Sequence, residues 1–376
     1  MKYSSNIEYI WVIFFYKMAT ISSPNQDIEI GDLARSSMKS ILTEYRDHEI
    51  IIIVDQNTHD LCLEHLITTF PELKKAEIIL LPVGEENKVM EVCMQVWNAF
   101  SEYGFGRKDL VLNLGGGVVT DMGGFLASVY KRGMDFIHIP TTLLGMVDAS
   151  IGGKNGIDLP PFKNQLGTIN PPKRVYVDLS FLNTLPEGEF YNGFAEMLKY
   201  GLIKDKSLFN DIKDFSNEKD FHRIEIIEKC IQIKVNIVDG DLNENGERKL
   251  LNFGHTVGHG IEGYFMDSAA PISHGHAVAL GMCAEAYISM IRKGISKDEY
   301  KVIQNVLTRV YPFIKLNDRD TNGIIELIHN DKKNESGKIF TVLLHGIGSS
   351  TYHNEVTEKE LGEALLHISM LSDIYN

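Results

Sequence analysis

The sequence predicts an α/β fold, with an N-terminal Rossmann-like parallel-sheet domain followed by a mostly helical C-terminal domain. Three observations predict it. Short β-rich runs alternate with helix-length segments through the first half, the pattern of parallel strands joined by helical crossovers. One of those strands ends in three glycines that open a helix. From about Pro186 onward the apolar residues recur at helical spacing instead.

The elements follow in order. Glu49 to Val54 (EIIIIV) reads as a buried strand, closed by Asp55-Gln56-Asn57. A helical stretch leads to a second strand at Glu77 to Val83 and a helix from about Asn87 to Tyr103. Asp109 to Leu114 (DLVLNL) is a third strand, running into Gly115-Gly116-Gly117 and a helix to about Tyr130. Asp135 to Pro140 (DFIHIP) is a fourth. The link Asn170-Pro171-Pro172 and a strand at Arg174 to Asp178 lie between the halves. Phe190 to Leu202, Ile224 to Val238, His255 to Gly263, His276 to Lys293 and Asp298 to Tyr311 then show helical spacing. The expected division is an α/β domain over 18–185 and a helical domain over 186–376. Residues 1–17 are expected to be an N-terminal extension. Their apolar run Tyr9 to Tyr16 is far short of a membrane span and lacks the basic flank of a signal peptide, and Met18 offers an alternative start.

The chain has 376 residues, enough for two cores, and its 44% apolar and 23% charged residues are those of a globular protein. A formal charge of -14 argues against binding nucleic acid or an anionic membrane, since both favour basic surfaces. An acidic protein that handles an anionic substrate must therefore gather its cations locally. Cys62, Cys93, Cys230 and Cys283 are scattered and form no CxxC pair, so buried thiols in a reducing cytoplasm are expected.

Three groups of residues carry chemistry. Leu114 to Asp121 (LGGGVVTD) turns from strand to helix through glycines, which let backbone N–H groups approach a pyrophosphate at the positive end of the helix dipole. A tight turn alone would need the same glycines, and Thr120 stands where the last glycine of GxGxxG would be. Next, Arg132, Asp148, Lys154, Lys163 and Asn164 cluster in or near PTTLLGMVDASIGGKNGIDLPPFKN. A single lysine is ordinarily solvated, whereas lysines grouped beside Gly152-Gly153 suit an anionic ligand. Finally, Glu196 lies on a helix one turn before Lys199, and His255, His259, His274 and His276 account for four of the 13 histidines. His255 and His259 share a helix face. Two or three histidines with one carboxylate form a catalytic zinc set with an open position, and spacing leaves open which of the four bind.

Together these segments resemble the dehydroquinate synthase family of sugar-phosphate cyclases, from about Glu49 to Gly348. The shared segments are GEENK (84–88), GGGVVTD (115–121), YKRG (130–133), PTTLLGMVDASIGGKNGID (140–158), GFAEMLKYG (193–201), LLNFGHTVGHGIE (250–262), HGHAVALGM (274–282) and DKKNESGKI (331–339). The resemblance implies zinc, or cobalt with the same ligand preferences, on Glu196, His255 and His274. It implies NAD at Asp55, Asn57, Glu85, Lys88, Gly116, Gly117, Val118, Asp121, Thr141, Thr142 and Lys163, with Phe181 and Thr184 nearby. Substrate would meet Arg132, Asn164, Lys199, Lys234, Arg248, Asn252 and one lysine of Lys332-Lys333. Glu244 and His259 would accept protons, with Asp148 and Lys154 completing the catalytic set.

The implied reaction converts 3-deoxy-D-arabino-heptulosonate 7-phosphate to 3-dehydroquinate and phosphate. It proceeds by transient oxidation with NAD, phosphate elimination, re-reduction and intramolecular aldol closure. Lys199, Asn164 and His259 would grip phosphate, and Arg248 would read the carboxylate. A homodimer is expected by analogy, with Arg132 reaching a neighbour's site. The chain departs from the family pattern at His276 (a glutamate is usual), Phe162, the arginine-less Pro186-Glu187-Gly188-Glu189, and Leu242. Alternative readings are a sister cyclase using another sugar phosphate, a metal- and NAD-dependent polyol dehydrogenase, and a retired enzyme kept as a binding protein.

Overall fold

The computed structural model describes residues 18–159, 162–215, 223–266, 268–329 and 338–375. The expected extension at 1–17 and the Lys332-Lys333 pair lie outside the described residues. Eleven strands occur among the described residues: β1 (Ala19–Ser22), β2 (Asp27–Ile30), β3 (Ile50–Asp55), β4 (Glu77–Leu81), β5 (Leu110–Gly115), β6 (Asp135–Pro140), β7 (Lys154–Leu159), β8 (Phe162–Ile169), β9 (Arg174–Val177), β10 (Ile339–Leu344) and β11 (Ser350–Val356). In the first half the helices are α1 (Met38–Glu44), α2 (Gln56–Leu61), α3 (Leu63–Thr69), α4 (Met90–Glu102) and α5 (Gly117–Val129). The second half holds α6 (Glu187–Ile203), α7 (Lys206–Ile212), α8 (Ile224–Gly240), α9 (His255–Phe265), α10 (His274–Ile291), α11 (Lys297–Val310), α12 (Asp318–His329) and α13 (Glu358–Tyr375).

Seven strands form one sheet in the order β1-β2-β9-β6-β5-β3-β4. All its pairings are parallel except the β1–β2 edge. The buried strands are apolar on both faces, and alternate residues feed two cores, as the two-residue period of a strand requires. Ile52, Val54, Leu110 and Leu112 point into one core, and Ile51, Ile53 and Val111 into the other. The second core is closed by α4 and α5. The first runs on without a break into α6, α8, α9, α10 and α11, so one hydrophobic cluster joins the sheet to the helical half.

Two antiparallel hairpins stand outside the sheet, β7–β8 and β10–β11. The strand expected at Glu77 to Val83 stops at Leu81, before Pro82, which has no N–H for the ladder. No helix among the described residues is long and apolar enough to cross a membrane.

Candidate active site and metal centre

Strands β3 and β5 are neighbours whose onward connections run in opposite directions, to β4 and to β6, which opens a crevice at their carboxyl ends. Residues expected to hold a dinucleotide gather along these strand ends. Asp55 ends β3 and caps α2, its Oδ1 accepting from the Thr58 N–H at 2.8 Å, and Asn57 is exposed in the first turn of α2. Gly116 stands at the N-cap of α5 with no side-chain cap, followed by Gly117 and Val118. A Cβ on Gly115 would lie 2.5 Å from Val119, and one on Gly116 2.9 Å from Thr142. Only glycine lets the turn pass so close to β6 and its following Thr141-Thr142.

Charged pairs tie this crevice to the β7–β8 hairpin. Lys88 is buried and donates to Asp121 at 2.6 Å and to Asn164 at 2.7 Å. Lys163 donates to Glu85 at 3.0 Å and to Glu262 at 2.8 Å. Burial acts to lower the Lys163 pKa, and the carboxylates of Glu262 and Glu85 outweigh it, so the ammonium is favoured. Phe181 is buried edge-on against His65, 5.4 Å between ring centroids, and the Thr184 hydroxyl donates to the Phe181 carbonyl at 3.2 Å.

The metal candidates converge from three helices. Glu196 and Lys199 are adjacent on one face of α6, both buried and ion-paired with each other. His255 is the first residue of α9 and His274 the first of α10. Their Nε2 atoms lie 3.5 Å and 3.7 Å from Glu196 Oε1, and one ligand atom from each of the three residues falls within 4.8 Å of the others. Both Nδ1 atoms are engaged elsewhere, His255 with the Phe253 carbonyl at 3.1 Å and His274 with Glu262 at 3.3 Å. Those bonds direct each Nε2 lone pair toward Glu196, the usual support for a metal-bound imidazole. Apart from the Lys199 ion pair at Oε2, the fully buried Glu196 carboxylate has no hydrogen-bond partner, and its Oε1 faces the two imidazoles. Buried carboxylate oxygens of this kind are costly unless an ion completes them, and the donor set fits zinc or cobalt.

Burial pulls His274 down, but the neighbouring Glu196 and Glu262 carboxylates prevail and push its pKa up to about 10. His259 follows one turn after His255, 5.3 Å between rings, and can approach a second group with Glu262 and His274. His276 points elsewhere. Its Nε2 bonds the Pro312 carbonyl and its ring stacks on Tyr311, so it does not compete for the metal. Of the other departures, Gly188 faces open space, and Leu242 contributes only its backbone carbonyl, to Arg248.

Beside this centre lies the cation cluster. Asp148 accepts from Tyr200 at 2.5 Å and from Lys234 at 2.6 Å. Burial works to raise its pKa, yet Lys234 and Lys199 hold the carboxyl well below the usual range. Burial brings Lys234 down to about 8 against the pull of Asp148. Arg248 is buried and donates to the Leu242 and Gly152 carbonyls at 2.7 Å and 3.1 Å. Glu244 is held between Lys154, its ion-pair partner, and Asn252, which donates at 2.6 Å.

Arg132 stands apart. It follows the far end of α5, and 13 helical residues separate that end from the glycine turn by about 20 Å. There it lines an open cavity of about 940 Å³ with Arg107, Lys108 and Lys173. Sequence reading missed Glu262 and Tyr200. Glu262 falls three residues after His259 and seven after His255, so helical spacing already put it on the ligand face.

Comparison with known proteins decides the family. The 3-dehydroquinate synthase N-terminal model matches residues 78–192, and the 3-dehydroquinate synthase C-terminal model matches 193–334. The 3-dehydroquinate synthase of Parabacteroides distasonis is 36% identical over 90% of this chain and 97% of its own. The chain belongs to the 3-dehydroquinate synthase family. The Pyrococcus furiosus 3-dehydroquinate synthase is 39% identical over 90% of this chain and 98% of its own. Among solved structures, 2-epi-5-epi-valiolone synthase from Streptomyces hygroscopicus, with NAD+ and Zn2+ bound, is similar at a TM-score of 0.80. It is 26% identical, covering 95% of this chain and 100% of that one. A 2-deoxy-scyllo-inosose synthase with carbaglucose-6-phosphate, NAD+ and Co2+ shares the fold at a TM-score of 0.78 and 24% identity, over 93% of this family member and 99% of its own chain.

Proposed function

We propose that the chain is a 3-dehydroquinate synthase, an NAD- and divalent-metal-dependent lyase of the shikimate pathway that forms 3-dehydroquinate and phosphate from 3-deoxy-D-arabino-heptulosonate 7-phosphate. The observation that carries this reading is the buried Glu196 carboxylate, faced by two imidazoles whose Nδ1 atoms are already bonded, beside a cation cluster in an acidic protein. The 36% and 39% identity to 3-dehydroquinate synthases, each over 90% of this chain, supports this substrate.

A metal on Glu196, His255 and His274 supplies Lewis acidity, and NAD at the β3/β5 crevice supplies a reversible hydride acceptor. The protein's own groups do the rest. Lys199 and Lys234, with Arg248, set positive charge where a phosphorylated acid would lie, and most of that charge is desolvated and therefore strong. Arg248 has two N–H groups committed to carbonyls, and its remaining fork suits a carboxylate. Glu244 and His259, carried on separate segments, are the groups we assign to proton transfer. Asp148, kept ionised, fixes Lys234 and Tyr200.

Phosphate binding by Asn164 and His259 is supported by their closeness to Lys88 and to the metal group respectively. The remoteness of Arg132 supports a homodimer in which it serves the neighbour's site. The cytoplasm is the compartment we infer from four buried free thiols. A domain division at 185/186 is supported by the start of α6 at Glu187. Zinc-loaded protein with NAD+ should form a carbocycle from the heptulosonate phosphate and release no phosphate from hexose 6-phosphates. Turnover of a hexose phosphate in its place would favour the sister-cyclase reading.

A further inference from the structure

Helices α9 and α10 cross at glycines. A Cβ on Gly281 would lie 1.9 Å from the Gly254 carbonyl oxygen and 2.7 Å from the Gly258 nitrogen. Gly254 itself has φ +79, and a Cβ there would meet Met282 at 2.5 Å. This close crossing brings the first residues of the two helices, His255 and His274, to one point. It also puts glycine at the N-cap of α9, where no side chain is available to satisfy the free amides of the first turn.

Glu285 supplies what Gly254 lacks. It is fully buried in a stretch of α10 that is otherwise small and apolar (AVALGMCAEA), one turn beyond Gly281 and on the same face. Its carboxylate accepts from the Gly254 N–H at 2.8 Å and from the Val257 N–H at 3.3 Å. Those amides belong to the N-cap and the third residue of α9, and the second is the one an N-cap side chain normally takes. An acidic side chain at this point also suits the positive end of the α9 dipole. His255, the first residue of α9, is thus fixed between two peptide groups bonded to one carboxylate, and its ring is held by Phe253.

We infer that Glu285 is a positioning residue for the metal ligand His255, acting as an N-cap donated from a second helix. The inference rests on the metal-centre reading above. Glu285→Ala is expected to lower Zn2+ affinity about tenfold, measured by competition with a chromophoric chelator, and to alter the visible absorption of the Co2+-loaded protein. NAD affinity should stay within about twofold, because the crevice lies on the sheet. Glu285→Gln, which keeps the volume and one acceptor, should fall between the variant and the wild type. Equal Zn2+ affinity and an unchanged Co2+ spectrum in the variant, with only a lower melting temperature, would overturn the assignment. If Glu285→Ala does not fold, the same two readouts on Glu285→Gln decide the matter. A wild-type chain that takes up no Zn2+ overturns the metal-centre reading, and this inference with it.

Discussion

Glu196 is buried, its Oε2 ion-paired with the equally buried Lys199 and its Oε1 facing the Nε2 atoms of His255 and His274. Such a group depends on its ion. Chelation should therefore lower the melting temperature, since a ligand at 100 times its Kd stabilises by about 2.7 kcal/mol. Glu196→Gln should abolish that difference in calorimetry with and without chelator. Lys234 gives a pH dependence. Its pKa of about 8 means that the ammonium is present at pH 7 and lost as pH rises through 8. KM for the anionic substrate should rise above pH 8, and a KM profile flat to pH 10 would remove Lys234 from the binding set. Arg248→Ala should raise KM for the carboxylated substrate by roughly 30-fold, about 2 kcal/mol, because a desolvated fork is lost. At this scale the sequence showed the histidines and lysines, whose chemistry is distinctive at the right spacing. Glu262 and Glu285 passed unread because a glutamate in a helix ordinarily faces water. The signal for Glu285 was present as a lone acid in an apolar run.

The α9–α10 crossing is the element on which the metal centre depends. Gly281→Ala would drive a Cβ into the Gly254 carbonyl, a backbone atom that cannot swing aside. The expected cost is about 3 kcal/mol in urea unfolding, with weakened metal binding. An alanine variant as stable as wild type would show that the helices can separate without loss. Of the elements, β3, β5, β6 and β9 were legible to within a residue or so, because buried parallel strands are continuous apolar runs with glycine or polar ends. The β1–β2 edge was not, since its polar residues Thr20 and Ser22 face outward and Ala19 to Gln26 is mostly polar. Nor was the β7–β8 hairpin, whose apolar alternation is broken by Gly156, Gly167 and exposed polar residues such as Lys154 and Asn164. The α13 stripe is blurred by outward Leu366, Met370 and Ile374.

At the scale of the whole molecule, one core joins the sheet to the helices, and Lys163 links Glu85 of the crevice to Glu262 behind His274. Cofactor and metal are therefore held by one connected body. Among the described residues Arg132 falls outside it, at the far end of α5, where the homodimer we propose would bring it to a second copy's site. Mixing Arg132→Ala with His274→Ala protein should restore activity, because a mixed dimer holds one complete site; no recovery on mixing would remove Arg132 from a shared site. The central claim is a redox-neutral cyclisation at this metal centre. Its most direct test follows phosphate and absorbance at 340 nm together, in metal-loaded protein given NAD+ and 3-deoxy-D-arabino-heptulosonate 7-phosphate. Phosphate should be released in step with substrate consumed, with no net NADH. Absence of phosphate, or NADH accumulating in proportion to substrate, would contradict it.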